Sequence, residues 1–258
     1  NAVIAAKDAS GNILWSWHIW LTDEPQGQEY YNNAGTMMDR NLGATSATPG
    51  DVGALGLLYQ WGRKDPFLGS SSISSDTVAK STITWPSAVS SDSSNGTIAY
   101  ATANPTTFIK YNSSNYDWYY TGSSTTDNTR WTTSTATKSI YDPCPSGWRV
   151  PDGGDNGIWS KALGSSSSFT QSSLYDSTNE GMNFSGKFGS DQIIWYPASG
   201  YRHCSGGDLY SVGYYGGYWS ASPSSYKAYG LYLYYYGEVT PSYYGNRAYG
   251  SFVRCLQE

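Results

Sequence analysis

The sequence contains little charge and little histidine, and these two scarcities exclude several functions. Only 14% of the 258 residues are charged, the formal net charge is −5, and there are two histidines. Without a basic stripe to neutralise phosphates, we expect no binding to nucleic acid. No carboxylate pair, histidine-based metal set or nucleophile beside a base is apparent, so we expect no catalytic residue, no metal and no cofactor. No run of about 18 apolar residues occurs, so we expect no membrane-spanning segment.

Cysteine is also scarce. The three cysteines, Cys144, Cys204 and Cys255, allow at most one internal disulfide, and composition does not say which pair forms it. Lys and Glu are few while Ser, Thr, Gly, Tyr and Trp are abundant, which is typical of secreted bacterial surface domains. We therefore expect an extracellular or cell-surface location. Because the chain begins with Asn1 rather than Met, we expect a mature or trimmed form, in which a missing leader says little about location.

Tyrosine is the residue present in excess. Fifteen of the 25 tyrosines lie from Tyr196 onward, interleaved with Gly, Ser and Asn in residues 199–258. Tyr offers a large, rigid contact surface, and its small polar neighbours offer adaptable hydrogen bonding, as in antibody combining sites. The alternative is that these tyrosines are ordinary sheet residues, since Tyr has a high strand propensity. We favour a binding surface.

The segment from Tyr229 to Tyr236 predicts how such a surface is built. Leu231 and Leu233 alternate there with three tyrosines, at positions 232, 234 and 236. Because alternate side chains of a strand point to opposite faces, the leucines can face a core while the tyrosines share the other face. An aromatic patch open to solvent marks an interaction site, although a second packed layer could cover it instead.

Other segments predict the remaining elements. We expect strands at Ile13–Leu21, Thr36–Leu42, Tyr218–Ser222 and Gly250–Cys255, a hairpin at Ser185–Pro197, and short helices at Gly53–Arg63 and Gly157–Leu163. Asp39 and Arg40 are expected to form a polar pair, and His18 to be a packed structural residue rather than a ligand. Asp155 or Asn156 is expected to cap the second helix. The alternative, that the loop 152–157 supplies oxygens to calcium, is less favoured.

Residues from about 70 to 137 differ from the rest in composition. Ser, Thr and Asn dominate this stretch, as they do in disordered segments. Trp85, Phe108, Trp118 and Trp131 argue against disorder, because each ring needs a place to be buried. We therefore expect an ordered insertion that packs on the main body, and a single domain, because no linker separates two hydrophobic halves.

Several motifs together resemble a known family. In order they are NLGATS (41–46), LLYQWGRKDPF (57–67), CPSGWRVP (144–151), YWSAS (218–222) and GSFVRC (250–255). They resemble the "major paralogous domain" proteins of Bacteroidetes-type bacteria. The resemblance covers most of the chain outside the insertion. It implies an α+β, C-type-lectin-like fold with mixed short strands, one or two helices and long loop insertions.

The tyrosine-rich end further resembles the variable proteins of diversity-generating retroelements, in which a reverse transcriptase copies a template with errors at adenines. An AAC codon changed at both adenines can become any NNC codon, which encodes Tyr, Ser, Asn, Asp, Gly, His or Cys among others and never a stop. Cys204 fits this scheme as a diversified surface position, which leaves Cys144 and Cys255 as the disulfide pair. The expected ligand-binding residues are His203, Asp208, Tyr210, Ser211, Tyr214, Tyr215, Tyr218, Tyr232, Tyr234, Tyr236, Tyr243, Tyr244, Asn246 and Tyr249.

The resemblance implies a receptor or adhesin rather than an enzyme. Its partner would be a protein or glycan, for instance on bacterial or phage surface structures. Two alternatives remain open. One is a surface or pilus-associated structural module in which the tyrosines only pack, and the other is a formylglycine-generating type of enzyme that uses Cys204 beside His203.

Overall fold

The computed structural model describes residues 1–258, and strands account for most of its regular structure. The two α-helices are α1 (Ile98–Ala103) and α2 (Ile158–Leu163), and short 3-10 turns occupy Val52–Ala54 and Ser172–Leu174. The strands are β1 (Ala2–Lys7), β2 (Ile13–Ile19), β3 (Gly27–Tyr30), β4 (Gly35–Met38), β5 (Leu58–Gln60), β6 (Val89–Ser90), β7 (Ile109–Lys110), β8 (Trp148–Arg149), β9 (Phe169–Thr170), β10 (Tyr175–Asp176), β11 (Gly181–Asn183), β12 (Trp195–Pro197), β13 (Ser199–Arg202), β14 (Leu209–Val212), β15 (Tyr215–Ser224), β16 (Lys227–Tyr234), β17 (Glu238–Asn246), β18 (Gly250–Phe252) and β19 (Leu256–Gln257). Sheets with two short helices fit the α+β expectation in outline.

An eight-stranded sheet forms the centre of the molecule. Its order is β14-β13-β18-β15-β16-β17-β9, with β5 paired to β18. The long strands β15, β16 and β17 form an antiparallel meander, whereas β18 and β13 lie parallel to β15. A four-stranded sheet, β3-β4-β19-β8, shares the C-terminal segment with it, because β19 follows β18 after three residues.

The leucine face of the meander lies on the largest hydrophobic cluster. Leu231 and Leu233 are fully buried there, together with Trp159 of α2 and Phe252 of β18. This confirms the orientation that strand alternation predicts for these leucines. The strands at Ile13–Ile19, Gly35–Met38, Tyr215–Ser224 and Gly250–Phe252 also agree with the predicted positions.

The predicted helix at Gly53–Arg63 is wrong. Only Val52–Ala54 forms a 3-10 turn, and Leu58–Gln60 is instead strand β5, which pairs with β18. The two glycines that interrupt this segment, Gly56 and Gly62, adopt φ values of 79° and 85°. A left-handed residue ends a right-handed helix, so the apolar spacing of this segment does not become helical.

Helix α2 is present as predicted, but its capping differs from the prediction. Its N-cap residue is Gly157, which makes no side-chain capping bond, so neither Asp155 nor Asn156 caps it. Gly164 ends the helix in a left-handed conformation with φ of 69°.

The predicted hairpin at Ser185–Pro197 is correct only in part. Its second strand is β12, but the strand paired with it is β11, which lies before the predicted start.

Tryptophan side chains anchor the Ser/Thr-rich insertion. Trp118 and Trp131 are fully buried, and their indole N–H groups donate to the carbonyl oxygens of Trp61 (2.7 Å) and Arg63 (3.1 Å). Trp61 in turn donates to the carbonyl oxygen of Ser220 in β15 at 2.8 Å. These hydrogen bonds connect residues 118 and 131 through Trp61 and Arg63 to the central sheet.

A buried ion pair strengthens this connection. Asp117 and Arg130 form a bidentate pair with N–O distances of 3.0 and 2.6 Å, and both side chains are buried. The guanidinium groups of Arg130 and Arg247 lie over the Trp61 ring, 4.7 and 4.3 Å from its centre. Burial lowers the pKa of Arg247 to about 9, since a buried cation loses its hydration.

The cysteine pairing agrees with the pairing that the resemblance implies. Cys144 and Cys255 form a disulfide across 111 residues of sequence. Cys204 is free as expected, but its expected place on the surface is wrong, because it is 3% exposed and packs with Ile109 and Trp118. None of the helices is both long and apolar enough to cross a lipid bilayer.

The first two strands form a separate hairpin at the periphery. His18 lies on its inner face, where Nε2 is 2.9 Å from Asn1 Oδ1 and Nδ1 is 3.2 Å from Tyr59 Oη. Burial lowers the pKa of His18 to about 4, so the ring is neutral at pH 7. These contacts agree with a structural role for His18.

The expected polar pair of Asp39 and Arg40 is also present, with Arg40 Nε 2.9 Å from Asp39 Oδ1.

Candidate functional site

Strand register explains which tyrosines share a face of the meander. Tyr215 of β15 lies opposite Tyr234 of β16, and Gly217 lies opposite Tyr232. Directly opposed residues of antiparallel strands point to the same face, so these residues lie on the side away from Leu231. Tyr243 of β17 pairs with Gly230, which belongs to the same alternating set.

The aromatic rings on this side form one continuous network, the tyrosine surface. Tyr244 lies opposite Tyr229, in the alternate set of Leu231, and joins the network through its ring, 6.4 Å from that of Tyr243. Every ring in it has a neighbour with ring centres no more than 6.4 Å apart. Its members among the predicted residues are His203, Tyr210, Tyr214, Tyr215, Tyr232, Tyr234, Tyr236, Tyr243, Tyr244 and Tyr249. Residues spread over 47 positions of sequence are thus brought onto one connected surface.

Tyr218 was expected in the ligand-binding set, and this expectation is wrong. It is 1% exposed and lies opposite Leu231, which places it on the leucine face. Its hydroxyl donates to the carbonyl oxygen of Pro197 at 2.5 Å, and its ring packs against Tyr196 with ring centres 4.8 Å apart. Tyr218 is therefore a core residue.

Tyr201 belongs to the tyrosine surface although it is not among the expected ligand-binding residues. Its ring centre lies 4.9 Å from that of Tyr215, 5.5 Å from Tyr249 and 6.3 Å from Tyr210. It joins the rings of β13 and β14 to those of the meander. No alternation in β13 could have revealed it, because Ser199 and Gly200 are both buried whereas Tyr201 and Arg202 are both half-buried. Tyr235 was also missed, and it connects Tyr214 to Tyr234.

A cavity of about 250 Å³ lies at the centre of the surface. It is lined by Tyr201, Ser211, Tyr215, Tyr232, Tyr234, Tyr243, Tyr249 and Ser251. Gly217 helps to keep it open, because a Cβ atom there would lie 2.8 Å from the Tyr215 ring and 3.2 Å from Ser251 Oγ. We call this space the tyrosine cavity.

The electrostatic environment of the cavity disfavours negative charge. Burial is the main cause that raises the pKa of Tyr201, Tyr215, Tyr232, Tyr243 and Tyr249. For Tyr232 the pKa rises to about 12, with the carboxylate of Glu238 as the second cause. The carboxylate of Asp76 contributes in the same direction at Tyr201.

The remaining predicted residues lie around this centre. Tyr210, Tyr214, Tyr236 and Tyr244 are the most exposed of the tyrosines, between 46% and 61%. Asp208 is exposed in the turn before β14, and its carbonyl oxygen accepts a bond from the His203 amide at 2.8 Å. Ser211 lines the cavity with a backbone φ of 61°, and Asn246 ends β17 half-buried. All but Tyr218 of the predicted set therefore lie at or around the tyrosine surface.

Cys204 and His203 do not form a nucleophile–base pair. Burial raises the pKa of the Cys204 thiol, whereas activated cysteines have a lowered pKa and partial exposure. The Nδ1 atom of His203 is 2.7 Å from Ser205 Oγ, and its ring packs on Tyr210 and Tyr249. No cluster of three or more His, Cys, Asp or Glu side chains that could hold a metal is present.

No protein-family model, curated protein or solved structure matches the chain. The functional argument therefore depends on the geometry of the tyrosine surface.

Proposed function

We propose that this chain is a ligand-binding protein of the receptor or adhesin type, and that the tyrosine surface is its combining site. The observation that carries the proposal is the continuity of the surface, in which ten predicted aromatic residues from four strands and their loops join around one cavity. Large exposed aromatic patches on a soluble domain mark interaction sites. Its ligand is a protein or a glycan.

We further propose that this surface is diversified by a retroelement on a C-type-lectin-like fold. The difference in burial between the core residues and the surface tyrosines supports this second proposal. Leu231, Tyr218 and Arg247 are fully buried, whereas Tyr214 and Tyr236 are more than half exposed. Exposed substitutions usually change the free energy of unfolding by less than about 0.5 kcal/mol, so such positions can vary without loss of the fold.

Contacts among the motifs that suggest the family also support the fold. Asn41 accepts from Arg254 Nη2 at 3.1 Å, and Trp219 donates to the Tyr59 carbonyl oxygen at 2.9 Å. The disulfide joins two further motifs, at Cys144 and Cys255. Disulfides persist in oxidising compartments, which supports an extracellular or cell-surface location.

The DNA around the gene provides the first test. We expect a near-copy of the codons for residues 199–258, differing from the gene at adenines, beside a reverse transcriptase gene. The differences should fall on codons of the tyrosine surface and spare those of Leu231 and Tyr218. A locus without such a copy would refute diversification by a retroelement and leave the binding function itself untouched.

A displayed library provides the test of binding. NNC codons would replace seven codons of the surface, those for Tyr210, Tyr214, Tyr232, Tyr234, Tyr236, Tyr243 and Tyr244. A matched control library would randomise seven buried positions: Tyr196, Tyr218, Leu231, Leu233, Val239, Phe252 and Val253.

We expect most clones of the first library to fold, and selection on immobilised hen lysozyme to enrich binders whose affinity depends on the randomised positions. The control library should yield few folded clones. If the two libraries fold equally rarely, or if the surface library gives no lysozyme binder, the combining-site proposal is wrong.

A further inference from the structure

The rings around the tyrosine cavity are set at steep angles to one another. The planes of Tyr201 and Tyr215 meet at 66°, those of Tyr201 and Tyr249 at 86°, and those of Tyr215 and Tyr232 at 72°. Rings in such an arrangement present π faces in several directions around one space. The negative potential of a π face attracts cations, and cages of this type recognise quaternary ammonium groups.

The lining has the composition of such a cage. Six tyrosines and two serines form it, and no Lys, Arg, Asp or Glu side chain is among them. A volume of about 250 Å³ lies below the range of roughly 300–1,000 Å³ for pockets that enclose drug-sized ligands. The cavity therefore suits one compact group whose remainder stays outside.

Two carboxylates act on tyrosines that line the cavity. Glu238 lies directly opposite Tyr234 in the pairing of β16 with β17, and its carboxylate acts on the Tyr232 hydroxyl. The carboxylate of Asp76 acts in the same way on the Tyr201 hydroxyl. The pKa values of five lining tyrosines are raised, as expected where an anion is disfavoured; they are Tyr201, Tyr215, Tyr232, Tyr243 and Tyr249. A cation gains from both carboxylates, and an anion is repelled by them.

We propose that the tyrosine cavity binds a compact organic cation of the trimethylammonium type. This inference rests on the proposed function, since it names the ligand chemistry of the same surface in this particular sequence. The methyl groups contact the ring faces, the positive charge interacts with the ring quadrupoles, and Glu238 adds long-range attraction.

Choline and its neutral isostere 3,3-dimethyl-1-butanol provide the decisive comparison, because they have the same shape and differ in charge. Titration monitored by NMR should show choline binding about tenfold more tightly, the size expected for a partly desolvated cation–π site. Equal binding of the two compounds, or no binding of choline, would overturn the inference. Tighter binding of methyl α-glucopyranoside than of choline would also overturn it, in favour of a sugar site.

Substitutions at one lining position separate the effect of the ring from that of apolar packing. Tyr232→Phe keeps the π face and should retain choline affinity within about twofold, whereas Tyr232→Leu should weaken it at least about fivefold. Glu238→Gln should weaken choline binding about two- to threefold at low salt and less at high salt. Tyr31→Leu, an exposed tyrosine outside the tyrosine surface, is the control and should leave affinity unchanged.

Melting curves of each variant show that the fold is intact. Equal losses for Tyr232→Phe and Tyr232→Leu would contradict a cation–π site. Phosphocholine and N-ε-trimethyl-lysine both carry a trimethylammonium group, and their relative affinities then distinguish a choline-bearing lipid or glycan from a methylated protein side chain as the source of the head group. Failure of choline binding alongside a successful lysozyme selection would reject the cage and retain the combining site.

Discussion

At the scale of single residues, tyrosines that are alike in sequence have opposite environments. Tyr236 is 61% exposed, whereas Tyr218 is 1% exposed with its hydroxyl bonded to a carbonyl oxygen. Tyrosine at either position is compatible with the NNC scheme, so the genetic code does not distinguish the exposed tyrosine from the buried one. The cross-strand partner does, because Tyr218 is opposite Leu231.

This difference predicts the cost of losing each ring. Tyr236→Ser and Tyr214→Ser should change the free energy of unfolding by less than about 0.5 kcal/mol. Tyr218→Ser should cost roughly 3–5 kcal/mol, and Leu231→Ala or Leu233→Ala roughly 2–5 kcal/mol, because each leaves a cavity in the core. Urea denaturation followed by tryptophan fluorescence measures these values. Equal costs for Tyr236 and Tyr218 would show that the surface tyrosines are structural.

Much of the candidate site could be predicted from residue pattern alone. The alternation of Leu231 and Leu233 with Tyr232 and Tyr234 follows from the two-residue period of a strand. Tyr218 and Tyr201 could not be assigned in this way, because their faces depend on which residues they oppose. Pairing register is set by long-range contacts, and a shift of one residue would reverse both assignments.

At the scale of elements, the N-terminal hairpin depends on a neutral histidine. The pKa of His18 is about 4 in the folded protein and 6.5 in an unfolded chain. Between these values the unfolded chain takes up a proton that the folded protein does not, so the free energy of unfolding falls as the pH falls from 6.5 to 4. Its contribution to stability is complete above pH 6.5.

We expect this fall in the free energy of unfolding to reach roughly 1–3 kcal/mol at pH 4, allowing for the partial exposure of the His18 ring. Thermal melts at pH 7 and pH 4.5 measure it, with His18→Gln as the control that lacks the titrating group. The wild type should lose more stability than His18→Gln between these pH values. Identical losses in the two proteins would contradict the assignment.

The insertion should depend on its buried ion pair. Asp117→Asn leaves the charge of Arg130 without its partner in a buried site, and Arg247 lies 3.7 Å from the same carboxylate. We expect a loss of about 3–5 kcal/mol in the free energy of unfolding. Asp191→Asn, at an exposed position, is the matched control and should cost less than about 0.5 kcal/mol. Similar values for both variants would show that the insertion packs independently of this pair.

The failed helix at 53–63 shows why elements are harder to predict than faces. The apolar spacing of Leu55, Leu58 and Tyr59 fits a helix, yet Gly56 and Gly62 take left-handed backbone conformations. Leu58 to Gln60 gain more from pairing with β18 than from a short helix that would have few internal bonds. The partner strand lies almost 200 residues away in sequence, so no local pattern reveals it.

At the scale of the whole molecule, one covalent bond restrains the chain. The disulfide closes a loop of 111 residues between Cys144 and Cys255. In the loop-entropy model the bond restricts the unfolded chain, and the free energy of unfolding is therefore about 4–5 kcal/mol larger than in the reduced protein. Cys144→Ala/Cys255→Ala should lose about that amount in urea denaturation. Cys204→Ala should keep the bond, and mass mapping of its unreduced peptides should show only the pair 144–255.

The last nine residues carry strands that complete both large sheets. β18 pairs with β5 and β13, and β19 pairs with β4 and β8, so strands that are distant in sequence meet there. Neither sheet can close before these residues have been synthesised. A polypeptide that stops before Gly250 would lack both closing strands and Cys255, so copies of the tyrosine surface that carry an early stop would not reach the folded state.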